Sequence, residues 1–171
     1  MPVPFPSRAL ALGGLLTAAT AAHGTDFNVS GEVMIGTCDW SMGDADRQVV
    51  LDPVGASVLP VARGSGYVSF ELNLHNCTDA VRKAVFGFSG SPAPGAPTLL
   101  RNGGDATGVA VVLESDDGRI IAADGSDSER VVTVSGQRAR LRLRAGYWRL
   151  GAPSAGVGSV AATAVVTLRY E

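Results

Sequence analysis

The sequence predicts an all-β fold, specifically an antiparallel β-sandwich. Short segments in which apolar and polar residues alternate recur along the chain, and clusters of glycine, proline and aspartate separate them. Such alternation is typical of half-buried strands, and many short strands with punctuated turns favour a sandwich. After the first 24 residues, no stretch shows the periodicity of a helix of ten residues or more. The predicted strands are 27–35, 47–52, 66–75, 84–89, 108–114, 119–122, 130–134, 138–145 and 159–170.

Residues 1–24 have the layout of a secretory signal peptide. One cation, Arg8, precedes an apolar run over 9–22 that is too short to span a bilayer, and small residues follow it. A buried amphipathic helix is the alternative, but the run lacks a polar stripe. Cleavage after Ala22 and cleavage after Gly24 fit equally well. The chain is therefore predicted to be exported.

Charge argues against a nucleic-acid partner. The whole chain has a formal net charge of −2, and loss of Arg8 with the signal peptide would make it −3. Binding to nucleic acid needs a basic surface that neutralises phosphates. The remaining residues suffice for one domain with its own core.

Two cysteines, Cys38 and Cys77, lie in the exported part. Oxidation is the default outside the cytoplasm, so the sequence predicts a disulfide between them. Metal ligation is the alternative, but His75 is the one histidine beyond residue 24, and the set cannot fill a structural zinc site without carboxylates.

Turns are marked by their residue types. Residues 91–97 contain three prolines and are predicted to form a rigid loop, while Asp116, Asp117 and Gly118 are predicted to form a hairpin turn.

Four arginines alternate with apolar residues in the predicted strand 138–145: Arg138, Arg140, Arg142 and Arg144. Like charges on one strand face must be solvated or paired. A solvent-exposed face is expected, with an acidic strip on a neighbouring molecule as the alternative.

No residue pattern indicates catalysis. His75 is two residues from a predicted half-cystine, which does not suit a catalytic base, and the paired aspartates lie in polar, turn-like stretches. The sequence therefore predicts a protein that is not an enzyme, with no catalytic residue, no metal and no cofactor.

The last fourteen residues form an alternating segment with a glycine at its start and a tyrosine next to the end. Val160, Ala162, Ala164, Val166, Leu168 and Tyr170 are predicted to share one face. The chain is thus expected to end inside its own core strand.

In their order and spacing, these pieces resemble pilins of the chaperone–usher fimbrial family, including type 1 and P-pilus subunits. The pieces are FNVSGEVMIGTC, VVLDPV, GYVSFELNLHNC, AVFGFSG, GVAVVLESDDGRII, LRLRAGYW and the terminal strand with Gly158 and Tyr170. The resemblance implies an incomplete immunoglobulin-like antiparallel β-sandwich that lacks its final strand and carries an N-terminal donor-strand extension. It also implies a periplasmic chaperone, an outer-membrane usher and neighbouring pilin subunits as partners.

The resemblance assigns a donor strand and an acceptor groove. The donor strand would use Thr25, Phe27, Val29, Gly31 and Val33, which alternate with the polar Asp26, Asn28, Ser30 and Glu32. An ordinary first strand pairing within its own domain is the alternative. The acceptor groove and chaperone-binding residues would be Gly158, Val160, Ala162, Ala164, Val166, Leu168, Tyr170 and Glu171.

The expected organisation is a signal peptide (1–24), a donor-strand extension with the first strand (25–35) and a pilin domain (36–171). The expected function is a structural subunit of a surface fimbria that supports cell adhesion, exported through the periplasm and assembled by donor-strand exchange. An adhesin or carbohydrate-binding tip module, or a coat-type secreted protein using the same assembly route, is the alternative.

Overall fold

A computed structural model describes residues 36–151 and 155–171. The described residues fall in a single compact unit. The predicted signal peptide, the predicted donor strand and the predicted strand 27–35 lie outside them. Among the described residues, no helix has both the length and the apolar character needed to cross a membrane.

Strands dominate the described part of the chain. They are β1 (Asp39–Trp40), β2 (Gly64–His75), β3 (Lys83–Gly90), β4 (Pro92–Ala93), β5 (Ala96–Arg101), β6 (Val109–Ser115), β7 (Glu129–Thr133), β8 (Ala139–Arg149) and β9 (Ala164–Tyr170), with one short 3-10 helix at Ala56–Val58.

These strands form two packed sheets. The larger has the order β1-β2-β8-β6-β5-β4, the smaller has the order β7-β3-β9, and every strand pair is antiparallel. The predicted antiparallel β-sandwich is therefore confirmed.

The core lies between the sheets, where alternate residues of β2, β3, β6 and β8 meet. Phe86 on β3 is fully buried, and Trp40 approaches its ring edge-on at 6.0 Å between centroids. Aromatic pairs favour this edge-to-face arrangement. Cys38 and Cys77 are joined by the predicted disulfide, which ties the segment before β1 to the end of β2.

Three predicted strands differ from the structure. Residues 47–52 are irregular although Val49 and Leu51 still face the core, because alternation records which way side chains point and not whether the backbone has a partner. Residues 119–122 contribute only an isolated bridge from Ile120. The terminal strand begins at Ala164 and not at residue 159.

One strand pair was missed. Residues 91–97 are not simply a rigid loop, because β4 and β5 form a hairpin through Gly95, whose φ of 76° suits its lack of a side chain. Leu99 on β5 is buried against Ala110 and Val112 of β6. This apolar contact lies on the outer face of the larger sheet and explains why the hairpin folds back there.

Candidate acceptor groove

Strand β9 lies at the edge of the smaller sheet, so one row of its backbone N–H and C=O groups points away from its neighbour β3. It pairs with β3 from Ala164 to Tyr170, and the described residues supply no strand on its other side. Beyond the strand end, Glu171 exchanges backbone hydrogen bonds with Lys83 at 2.8 and 2.9 Å. Antiparallel ladders alternate, so the backbone groups of Arg169, Thr167 and Val165 also face β3. Those of the residues between them face the open edge.

The open edge coincides with the apolar face of β9. Ala164, Val166, Leu168 and Tyr170 are half-buried and pack against the core, whereas the residues between them are exposed. The same four residues therefore present unpaired backbone groups and an incompletely covered apolar row. An added strand would satisfy both.

The predicted row is only partly continuous. Val160 packs against the core, but Ala162 is exposed and precedes β9. The prediction that Ala162 shares the core-facing row does not hold in the structure, because the alternation starts where pairing with β3 starts.

The irregular segment over residues 47–61 forms the opposite wall. Leu51 and Leu59 turn inward, while Val50 and Val58 are largely exposed. A cavity of about 370 Å³ lies between this segment and residues 155–160, with Val109 and Tyr147 among its lining. The apolar opening is thus lined by this segment on one side and by residues 155–160, which lead into β9, on the other.

Gly158 is fixed by a close backbone approach. A Cβ atom at this position would lie 2.4 Å from the backbone nitrogen of Ala106, closer than real contacts allow. Residues 156–161 run beside the loop 102–107: Gly156 donates to Thr107, Ala106 to Ser159 and Gly103 to Ala161, at 2.8–3.0 Å. Glycine therefore has a structural reason at 158 in addition to the predicted chaperone-binding role.

Asn102 holds that junction together. Its side-chain oxygen accepts hydrogen bonds from the backbone of Gly104 and Ala161, both at 2.9 Å, and its amide donates to Ala106 at 2.8 Å. Sequence reasoning missed this residue, although the run Asn102-Gly103-Gly104 is a turn signal.

The carboxyl terminus is engaged within the subunit. The Glu171 main-chain oxygen accepts hydrogen bonds from the backbone nitrogens of Arg82 and Lys83 at 2.6 and 2.8 Å. The Tyr170 hydroxyl donates to the Cys38 carbonyl at 3.2 Å. These contacts dock the last two residues at the end of the sandwich that holds the disulfide.

Three arginines of β8, namely Arg140, Arg142 and Arg144, are paired with acids inside the subunit. Arg140 and Arg142 both contact Glu71, at 3.4 and 3.2 Å. Arg144 binds the buried Glu114 at 2.6 Å and lies over the ring of Tyr67. Burial, with the hydrogen bond to Glu114, raises the pKa of Tyr67 to about 12. The arginine face is thus exposed, as expected, yet largely compensated by acids on β2 and β6.

Two of the paired aspartates, Asp117 and Asp124, stabilise turns, whereas Asp44 is buried and accepts hydrogen bonds from Asn73 of β2. The Ser115 hydroxyl, which donates to Asp117, lowers the pKa of that carboxyl, and the backbone N–H of Ser126 does the same for Asp124. In residues 36–151 and 155–171, no group of three His, Cys, Asp or Glu side chains is arranged to hold a metal ion.

Comparison with known proteins gives this geometry a context. The family model described as "Fimbrial protein" matches residues 27–171. The chain belongs to the fimbrial protein family.

Relatives of this fimbrial protein extend over most of its length. It is 28% identical over 155 residues to the type-1 fimbrial protein A chain of Escherichia coli K12, covering 86% of this chain and 85% of that protein. The crystal structure of the P pilus rod subunit PapA matches with a TM-score of 0.66 and 23% identity, covering 78% of this chain and 99% of that one. A chain from the structure of a chaperone-usher pilus matches with a TM-score of 0.66 and 22% identity, covering 91% and 100%. The likeness to solved structures shows the pilin fold.

Proposed function

We propose that this fimbrial protein is a structural, non-enzymatic subunit of a surface fimbria, completed by a strand from another subunit. The observation that carries the proposal is β9, where the unpaired backbone edge and the half-covered apolar row belong to the same four residues. The relatives that match over most of their own length are named as fimbrial subunits. A tip adhesin with an added receptor domain fits that match less well.

The proposed donor is the segment 25–33 of the next subunit. Its apolar residues at every second position match the side-chain period of a strand laid along β9. Gly31 in that row suits a place where the groove leaves no space for a side chain. The segment lies outside the described residues, so its assignment rests on sequence.

A groove of this kind needs a temporary occupant before assembly. An exposed apolar row beside an unpaired edge promotes aggregation. We infer that a periplasmic chaperone covers the groove after the signal peptide (1–24) is removed, and that an outer-membrane usher then presents it to the next subunit. The proposed acceptor and chaperone-binding residues are Gly158, Val160, Ala164, Val166, Leu168, Tyr170 and Glu171, and the exposed Ala162 is left out of the apolar row.

Deletion of residues 25–33 tests this function. We expect the precursor that lacks residues 25–33 to be recovered in complex with its chaperone. We do not expect it to enter polymers that survive detergent without heating. The reason is that its groove stays intact while its donor strand is missing. Phe27→Asp should have the same effect, while Asn28→Asp, on the polar face, serves as the matched control. Normal polymerisation of the deletion variant would contradict the proposal.

A further inference from the structure

The outer face of β9 carries one charged residue, Arg169, with Val165 and Thr167 as its other members. The Arg169 side chain is 57% exposed and contacts Glu129 at 3.5 Å and the side chain of Glu171. Its backbone groups face β3, so a strand added on the open edge would meet Arg169 in a non-hydrogen-bonded pair. In such pairs the Cα atoms are only about 4.5 Å apart and the side chains are close.

The polar face of the proposed donor is acidic at both ends. It consists of Asp26, Asn28, Ser30 and Glu32. Residues directly opposite each other in a sheet point to the same side, so the apolar row of the donor must oppose the apolar row of β9. The acidic face then lies beside Arg169.

Centring the donor on β9 leaves two registers that match the apolar faces, with Val29 opposite Val166 or opposite Leu168, and only the first brings an acid to Arg169 in an antiparallel pair. If Val29 lies opposite Val166 in an antiparallel pair, Gly31 falls opposite Ala164 and Asp26 falls opposite Arg169. A shift by two residues, the smallest that keeps the apolar faces together, places Asn28 or Gly24 there instead. The parallel orientation with the same centre would place Glu32 opposite Arg169.

We propose that Arg169 of one subunit pairs with Asp26 in the donor segment of the next, and that this pair selects the register with Val29 opposite Val166 over the one with Val29 opposite Leu168. The inference rests on the proposed function. The antiparallel orientation is favoured because every pair in the sheet β7-β3-β9 is antiparallel and such ladders are slightly more stable than parallel ones. Arg169 already contacts Glu129 and Glu171, both exposed, so Asp26 would replace one of these contacts, and the five N–H donors of the guanidinium allow that exchange.

Cross-linking of assembled fibres tests the register. The precursor with Thr167→Cys and Asn28→Cys should form covalent polymers under oxidising conditions, because these positions face each other in the close type of pair. The matched control is Thr167→Cys with Ser30→Cys, whose partners face each other only in the parallel orientation or after a two-residue shift. Efficient cross-linking of the control, with none in the first variant, would overturn the register.

Charge reversal tests the pair itself. At low salt, Arg169→Glu or Asp26→Arg alone should speed subunit dissociation from the polymer about two- to fivefold, as expected for an exposed ion pair. The combination should restore the rate, which distinguishes this pair from the loss of contacts to Glu129 and Glu171. Glu32→Arg should have little effect. Rescue of Arg169→Glu by Glu32→Arg, or by neither change, would overturn the inference.

The two proposals fail separately. If polymers form but cross-link in the other register, only the pairing of Asp26 with Arg169 is wrong. If the deletion of residues 25–33 still polymerises, donor-strand assembly is wrong and the pairing falls with it.

Discussion

At the residue scale, Glu114 shows how the outer face of the larger sheet accommodates a buried charge. Its carboxylate accepts a hydrogen bond from the Tyr67 hydroxyl at 2.6 Å and from the Arg144 Nε at 2.7 Å. Burying a carboxylate without such partners is costly. The arrangement also places the arginine over the tyrosine ring, which adds a cation–π contact.

This cluster predicts a loss of stability at alkaline pH. Folding raises the pKa of Tyr67 from 10.0 to about 12, so its contribution is fully present below pH 10 and is lost as the pH rises through 12. The unfolded chain gives up this proton first, and the free energy of unfolding therefore falls across that interval. Denaturant titrations of the mature chain at several pH values should show the fall, and Tyr67→Phe should make it shallower. An unchanged slope in Tyr67→Phe would rule out this assignment and would point to Tyr147, whose pKa is also raised by burial.

At the element scale, the segment before β9 is held by a loop on the opposite sheet. Residues 156–161 bond to the loop 102–107, which joins β5 and β6, while β9 itself bonds to β3. The chain thus passes from one sheet to the other just before its last strand. The same segment lines the cavity, so its position shapes that end of the groove.

Gly158→Ala should disturb this element selectively. The new methyl group would clash with the backbone of Ala106 and Asp105, and neither can retreat without breaking the adjacent hydrogen bonds. We expect a loss of about 1–3 kcal/mol in the free energy of unfolding, typical of overpacking. Limited proteolysis of the mature chain should become faster at residues 102–107.

The matched control for this substitution is Gly103→Ala in the same junction. There the nearest contact for a Cβ would be Ala161 O at 3.6 Å, an ordinary van der Waals distance. We expect Gly103→Ala to cost much less than Gly158→Ala. Equal losses for the two variants would contradict the close-approach explanation of Gly158.

The sequence alone predicted which side chains face the core better than it predicted which strands pair with each other. The alternation in residues 164–170 and in 47–52 is equally clear, and both segments turn alternate residues to the core. Only the first forms a ladder among the described residues, because pairing depends on a neighbour that the local pattern does not contain. The β4–β5 hairpin was missed for a related reason: its prolines indicate a loop, yet the strands lie at the end of the sheet order, where a missing N–H donor is tolerated.

The sequence predicted only one wall of the groove, the one formed by the terminal strand. The core-facing residues of β9 followed from the period of two, but the opposite wall from residues 47–61 and the cavity between them depend on how distant segments pack. The fixed position of Gly158 likewise depends on the loop 102–107. No local signal at residue 158 indicates that contact.

At the scale of the whole molecule, the sandwich is closed by different means at its different ends. Its core is continuous between the sheets, but β9 leaves an edge that only another chain can extend under the proposed function. At one end, the first described residues, the end of β2 and the carboxyl terminus meet. There the disulfide joins Cys38 to Cys77, and the Tyr170 hydroxyl donates to the Cys38 carbonyl. The backbone N–H of Cys77 donates to the Gln137 carbonyl at 3.1 Å.

Removal of the disulfide should therefore weaken the fold as a whole. The bond spans 39 residues, and the chain-entropy estimate for a loop of that length gives about 3–4 kcal/mol. Cys38→Ala with Cys77→Ala should lower the free energy of unfolding by about that amount, measured by denaturant titration of the mature chain. It should also reduce recovery of the subunit with its chaperone, because the Tyr170 contact to Cys38 depends on the same end of the sandwich. Adding reductant to the wild-type chain should reproduce the loss and should leave the double variant unchanged. If the double variant matched the oxidised wild type in stability, the bond would not be what holds this end together.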